Sequence, residues 1–235
     1  SNAKVSGKGV KRLKESGIEV VVGVLEYECR MHHKRFFTNQ EKDRPYIILK
    51  WAETKDGFIA PIAKESQKPV WISNIYSQQM VHKLRAKEHA ILVGTNTVLQ
   101  DNPNLNVRSW SGHNPVRVVL DKSLKLSKTL NIYNKTVKTI IFFDKEYHQQ
   151  ATDKNLLFEP IDFSGKIASQ ICKVLQKYQI QSLIIEGGTK TIETFINENL
   201  WDEALVFEGA VFFNKGVKAP ILKAESVLEE KIMNN

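Results

Sequence analysis

The chain has 235 residues, 42% of them apolar, which is enough for one large core or a core with an appendage and too much for a disordered chain. Its net charge of +8 favours acidic partners such as phosphorylated small molecules, nucleic acid or a membrane surface. The Lys and Arg residues are scattered, no nucleic-acid reading motif accompanies them, and no apolar run reaches the roughly 18 residues of a membrane span, so neither nucleic acid nor membrane is an expected partner.

In chain order, the leading "SNA" reads as a tag-cleavage scar. Residues 1–40 then read as helix, strand and helix, with the strand at "IEVVVGV" (18–24), and as a unit apart from the rest of the chain. A boundary is expected at 39–45, where charge and Pro45 break the apolar pattern. Further strands are expected at "PYIILKWA" (45–52), "HAILVG" (89–94), "PVRVVLD" (115–121), "KTIIFF" (138–143), "QSLIIEGG" (181–188) and "EALVFEGAVFF" (203–213). Helices are expected after Ser73 as its cap, after Ser164, and from Thr189, with a short one from Thr95. Near-continuous apolar strands alternating with helices imply an α/β fold with a mainly parallel central sheet flanked by helices. Ile75, Val81 and Leu84 are expected in the core of the helix after Ser73.

The two cysteines, Cys29 and Cys172, lack CxxC or metal-ligand spacing, so reduced thiols in a cytoplasmic protein are expected, with no disulfide framework and no zinc site. The adjacent His32 and His33 read as a solvated helix face.

The stretch "SLIIEGGTKTIETFI" ends an apolar strand in Glu186 and two glycines before a helix. Beyond the carboxyl end of such a strand, Gly187 and Gly188 would let a phosphate approach the backbone at a helix start, with Lys190 and the hydroxyls of Thr189 and Thr191 beside it; a bare helix-entry turn is the alternative. A carboxylate in Glu186's place is costly unless paired, used or facing a crevice, with a solvent-facing strand end as its alternative. Asp56 and Gly57 read as turn chemistry. Arg85 and Arg108 suit a fork around a phosphate monoester, or are ordinary surface arginines.

"LKWAETKDGFIA", "VHKLRAKEHAILVGTNTVLQDNPNLNVR", "PVRVVLD" and "LIIEGGTKTIETF" stand in the same order as motifs of a known family. Over about residues 45–222 the chain resembles the reductase domain of the bifunctional riboflavin-biosynthesis deaminase/reductase, which has a dihydrofolate-reductase-like fold. The stretch before it resembles the tail of the deaminase half, so a deaminase domain in a full-length chain is an implied partner. Residues 1–40 would then be its remnant and 41–235 the reductase domain, ending short of the family's terminal strands. The resemblance implies NADPH-dependent reduction of 5-amino-6-(5-phosphoribosylamino)uracil to its ribitylamino product by a homo-oligomer. A dihydrofolate-reductase-type enzyme and a non-catalytic nucleotide-binding module are the alternatives.

By motif position, the resemblance assigns Lys50, Arg85, Leu105, Arg108 and Glu186 to the substrate, with Lys50 as a catalytic candidate. It assigns Ala52, Trp71, Thr97, Asp101, Lys122, Gly188, Thr189, Lys190, Thr191, Ile192, Glu193 and Thr194 to the cofactor, and implies no metal. The family's loop before Trp71 is lengthened here to "KESQKPVWIS", with Pro69 where a substrate-contacting serine is usual. At "LDKS", Asp121 would favour NADH by holding ribose hydroxyls, whereas Lys122 and Lys125 would favour NADPH, and the lysines outweigh the acid.

Overall fold

Strands that are apolar on both faces need helices above and below, and the sheet carries five such runs. In the computed structural model, which describes residues 7–64, 66–148 and 153–232, β1 (Tyr46–Thr54), β3 (Ala90–Gly94), β4 (Val116–Leu120), β5 (Thr139–Asp144) and β7 (Ser182–Ile185) form the middle of a seven-stranded sheet. Its edges are β6 (Leu156–Ile161) and β8 (Glu203–Gly209), in the order β6-β5-β4-β3-β7-β1-β8, and every pairing in it is parallel. The short strands β2 (Phe58–Pro61) and β9 (Gly216–Lys218) make a separate antiparallel pair.

The helices α4 (Ile75–Lys87) and α5 (Thr95–Asp101) cover one face, where Leu84 and Val98 pack with Ile91, Val119 and Ile184. The opposite face is covered by α6 (Ile167–Lys177) and α7 (Thr189–Asn197), whose Ile171, Leu175, Ile192 and Phe195 meet Ile47, Leu92 and Ile185. Chain direction across the sheet reverses around β7, which lies between β3 and β1; at such a switch the strand ends open a crevice.

Several sequence-based expectations shift for physical reasons. Residues 18–24 form no strand: Val21, Val22 and Val24 are 72%, 71% and 67% exposed, and Gly17 and Gly23 take positive φ. A β-branched run becomes a strand only with a neighbour to pair with, and no described strand lies beside this one. Pro160 hides β6 in the sequence, yet as an edge strand β6 tolerates the missing donor. The run 203–213 stops as a strand at Gly209, because the main chain of Ile72 crosses there and a Cβ on Gly209 would lie 2.0 Å from its carbonyl oxygen.

Asn74, not Ser73, caps α4, accepting the Ser77 N–H at 2.9 Å. At α6 the cap comes from elsewhere: the Glu198 carboxylate accepts the N–H groups of Ala168 and Ser169 at 2.9 and 3.0 Å. Ile75 is 72% exposed in the first turn of α4, so only Val81 and Leu84 of the expected trio pack inward.

The helices α1 (Lys8–Glu15) and α2 (Glu26–His32) bury no residue, and His32 and His33 stand edge to face at 4.8 Å on the outside of the fold. By contrast α3 (Lys34–Lys42) is stitched to α4, α6 and β8. Arg35 reaches the Glu88 carboxylate at 2.7 Å, Lys34 meets Glu203 at 2.8 Å, and Asn39 donates to Gln176 at 2.8 Å. These contacts lie within the stretch expected to stand apart, ahead of the 39–45 boundary expected from composition. The "SNA" stretch read as a scar and the last residues of "KIMNN" lie outside the described residues.

Arg44 closes this junction with Asp202. Its guanidinium donates to both carboxylate oxygens, at 2.5 and 2.8 Å, and the Ile47 N–H donates a third bond at 2.9 Å. Burial alone would raise the Asp202 pKa, but Arg44 and the Ile47 amide hold it below the usual carboxylate range. Removing one partner leaves a buried charge alone, so Asp202→Ala is expected to lower the unfolding free energy in urea by about 3 kcal/mol. In the wild type the contribution is complete above the unfolded pKa of about 4 and is lost as pH falls through the depressed folded value. The two proteins should therefore converge in stability at acid pH.

Candidate active site

The parallel register brings two charges to one spot. Leu49 of β1 and Leu92 of β3 both pair with Ile185 of β7, and the Glu186 N–H donates to the Leu92 carbonyl at 2.9 Å. Lys50 and Glu186 each come one residue later, so they project from neighbouring strands toward the face covered by α4 and α5. Arg85, in the last turn of α4, descends onto that face. Its Nε and Nη2 donate to Oε1 and Oε2 of Glu186 at 3.1 and 2.6 Å, with side chains only 13% and 6% exposed.

This forked pair decides the protonation states. Burial pushes the Glu186 pKa up, but Arg85 and then Lys50 outweigh it and hold it at about 2. Lys50 is shifted down, by burial first, against the pull of Glu186 and with Arg85 adding to the fall. Its Nζ sits 5.5 Å from the centre of the Phe207 ring, near enough for a cation–π contact.

The loop after α5 supplies the rest. Asn102 ends the helix in a left-handed turn (φ 39°), and Leu105, 2% exposed, takes φ 51°. The Asn106 carbonyl accepts Arg85 Nη1 at 3.4 Å, the Asn106 side chain accepts Arg108 Nη1 at 2.8 Å, and the Arg108 N–H donates to His82 Nδ1 at 3.2 Å. Asn131 clamps the loop's start through two bonds to Asn102, at 2.8 and 2.7 Å. Arg85, Leu105, Arg108, Lys50 and Glu186 therefore form one neighbourhood.

Beside it the starts of α5 and α7 cross so closely that side chains are excluded. A Cβ on Gly94 would lie 2.4 Å from Thr191 Oγ1, and one on Gly187 would lie 2.7 Å from Thr97 Oγ1. Gly188 has φ 70°, a conformation open to glycine. The Thr189 hydroxyl donates to the Lys218 carbonyl at 2.7 Å, tying α7 to β9.

Not every residue of the cofactor set can present its side chain here. Ile192 is fully buried in the core, which leaves only its backbone for any ligand role. The Thr194 hydroxyl turns back to the Lys190 carbonyl at 2.8 Å, and Asp101 is ion-paired to Lys64 from the lengthened loop. Ala52 lies beside Phe207, Trp71 is 57% exposed next to the crossing at Gly209, and Lys190 is exposed while Glu193 is half-buried. Lys122 lies past the end of β4, 62% exposed, with its Nζ 3.7 Å from Asp144. Asp121 is buried and accepts the N–H groups of Lys125 and Leu126 at 3.1 and 3.0 Å, so it caps its own loop and cannot reach a ribose. Asp56 likewise accepts from Thr54, Phe213 and Asn214, which makes it the knot of a turn.

Three residues of this neighbourhood, His82, Asn106 and Phe207, are not among those the sequence pointed to. The spacing of His82, three residues before Arg85 on one helix face, is the signal that marks it.

Residues 45–222 match the model of the RibD C-terminal domain family. The chain belongs to the RibD C-terminal domain family. It is 36% identical over 230 residues to the riboflavin biosynthesis protein RibD of Aquifex aeolicus, covering 97% of this chain and 64% of that protein. Its structure is similar to that of a diaminohydroxyphosphoribosylaminopyrimidine deaminase/5-amino-6-(5-phosphoribosylamino)uracil reductase from Thermotoga maritima (TM-score 0.81, 32% identity, 100% of this chain and 65% of that one). It also resembles RibD of Acinetobacter baumannii (TM-score 0.81, 29% identity, 97% of this chain and 63% of that one). The chain thus spans just under two thirds of the length of these relatives. The sheet has the dihydrofolate-reductase-like fold of the RibD reductases, and among the described residues no helix is long and apolar enough to cross a membrane.

Arg85 is the main counter-charge of Glu186. Arg85→Met is therefore expected to raise the Glu186 pKa well above 2, read as the side-chain carboxyl shift in a carbon-detected NMR titration. An unmoved titration would mean that Lys50 alone keeps the carboxylate ionised.

Proposed function

We propose that this chain reduces 5-amino-6-(5-phosphoribosylamino)uracil to the ribitylamino product with NADPH, as the reductase part of a longer cytoplasmic, homo-oligomeric protein. The observation that carries this reading is the cluster of Lys50, Arg85 and Glu186 at the strand ends, set beside the glycine cradle at the start of α7. Residues 1–40 are read as the tail of a deaminase half. The family match favours the ribotide over dihydrofolate as substrate.

The residues present fit a dinucleotide. Side chains at Gly187 and Gly94 would collide with Thr97 and Thr191, so both positions need glycine for α5 and α7 to start this close together, and the first amides of α7 are unpaired within the helix. In this reading Gly188, Thr189, Lys190 and Thr191 hold the pyrophosphate, Ile192, Glu193 and Thr194 contribute through the helix that carries them, and Ala52, Trp71, Thr97 and Asp101 line the nicotinamide side. NADPH, when bound, supplies a hydride. Lys122 stands past β4, 62% exposed and at 3.7 Å from the buried Asp144, a long contact that it can leave for a 2′-phosphate.

For the substrate, Arg85 is half committed to Glu186, whereas Arg108 is exposed and bonded to the neutral Asn106, so Arg108 is the readier partner for the ribotide phosphate. Glu186 accepts from the pyrimidine or sugar, and Leu105 packs against the ring. The ring-opened sugar offers an imine carbon for reduction, and the adjacent heteroatom needs a proton. Lys50 Nζ is the donor in this reading: burial lowers its pKa toward the working range and Glu186 keeps it in place.

Loss of absorbance at the reduced-nicotinamide band on mixing protein, NADPH and the deaminated ribotide tests the activity; a folded protein that oxidises no NADPH refutes it. Arg108→Ala is expected to raise KM for the ribotide about tenfold and to leave the dephosphorylated riboside nearly unchanged. Glu186→Gln is expected to weaken ribotide use with NADPH affinity little altered, and equal loss of both would place Glu186 outside the substrate set. Lys122→Ala should shrink the preference of kcat/KM for NADPH over NADH, and an unaltered ratio would remove Lys122 from the 2′-phosphate.

A further inference from the structure

Among the side chains around the candidate site, His82 has no part in the proposed reaction, yet it is only 5% exposed and lies where three elements meet. It projects from α4 one turn before Arg85. Its Nδ1 accepts the main-chain N–H of Arg108 at 3.2 Å, across to the loop that carries Leu105 and Arg108. A neutral imidazole with Nδ1 as acceptor carries its proton on Nε2. The contact joins the backbone under one arginine of the site to the helix that carries the other.

We propose that His82 is a positioning residue that holds the Leu105–Arg108 loop against α4, and that its protonation releases the loop and weakens binding of the phosphorylated substrate. The inference rests on the assignment of the ribotide to this site. The charged groups that face the imidazole are Arg85 from its own helix, Arg108 from the loop and Glu186 from the end of β7. A protonated ring has no lone pair for the Arg108 N–H, so that bond is lost, while the Asn106 main chain, which favours the charged ring, is outweighed by burial and the two arginines. It also adds a third cation beside two arginines, with one carboxylate, already bound to Arg85, to balance them. Consistent with this, burial first, and then Arg85 and Arg108, hold the His82 pKa below its ordinary value, so the ring is neutral at pH 7.

Above the ordinary histidine pKa of about 6.5 the ring accepts and the loop is held; as pH falls through the lower value in the folded protein, the acceptor disappears and KM rises. The phosphate of the ribotide also takes up a proton in this range, so wild type alone does not isolate the effect. His82→Asn does, because an amide oxygen can accept the same N–H and does not titrate.

At pH 8, His82→Ala is expected to raise KM for the ribotide about tenfold, with kcat and the Kd for NADPH within about twofold of wild type. His82→Asn should restore most of that loss, and its KM should rise less than that of wild type between about pH 7 and pH 5, the range that spans the ordinary histidine pKa. An Asn variant as impaired as the Ala variant, or pH profiles that superpose for wild type and His82→Asn, would overturn the proposal. The ligand-free protein gives a separate reading: in an NMR titration of the histidine ring resonances, His82 should titrate below about 6.5 and be the Nε2–H tautomer, and a protonated Nδ1 at pH 7 would refute the contact. If wild type never turns over the ribotide, the proposed activity fails, while the ring titration still decides whether His82 holds the loop.

Discussion

Keeping an ionised carboxylate with 6% of its side chain exposed costs several kcal/mol, and around Glu186 that cost is offset by charges from separate parts of the chain. Arg85 arrives from α4 and Lys50 from β1, and both depend on the parallel register that aligns Leu49, Ile185 and Leu92. A slip of one residue in β1 or β7 would send its charge to the opposite face, among Ile47, Ile185 and Phe195. The core thus stabilises the fold and also sets the face on which the charges appear. The all-parallel sheet, the reversal around β7 and the two layers of helices are what make that register tight.

Around this pair the loops are held by polar clamps and not by apolar packing alone. Asn131 grips Asn102 at one end of the loop after α5, and His82 takes the Arg108 N–H at the other. Glu198 caps α6, Thr189 ties α7 to β9, and Asp56 fastens the first turn to the segment 213–214. Each bond satisfies a polar group that would otherwise be left bare at the end of an element. Together they hold the loops around the ion cluster and the glycine crossing.

The paired carboxylate and the glycines answer different needs. Glu186 requires low exposure so that its charge meets Arg85 undiluted by water. Gly94 and Gly187 require that nothing project at all, since Thr191 and Thr97 already fill the space a Cβ would take. A dry ion cluster thus lies beside a crossing of helix starts too tight for side chains.

The sequence by itself determined the strand and helix alternation, the motif order that carries the family resemblance, and the break between apolar strand and glycine turn at Glu186. These are local patterns, since burial on both faces and turn chemistry are written in consecutive residues. Only the tertiary structure decided which carboxylates were engaged elsewhere: Asp121 caps its own loop, Asp101 pairs with Lys64, and Asp56 ties a turn. It also withdrew 18–24 from the strands for want of a neighbour, admitted β6 at an edge despite Pro160, and turned the Ile192 side chain into the core. The sequence could place His82 on the helix face of Arg85, but its partner came only from folding, since Arg108 lies 26 positions along the chain. Charges and hydrogen bonds act through space, and the partner that gives each its role is chosen by packing rather than by neighbours in the chain.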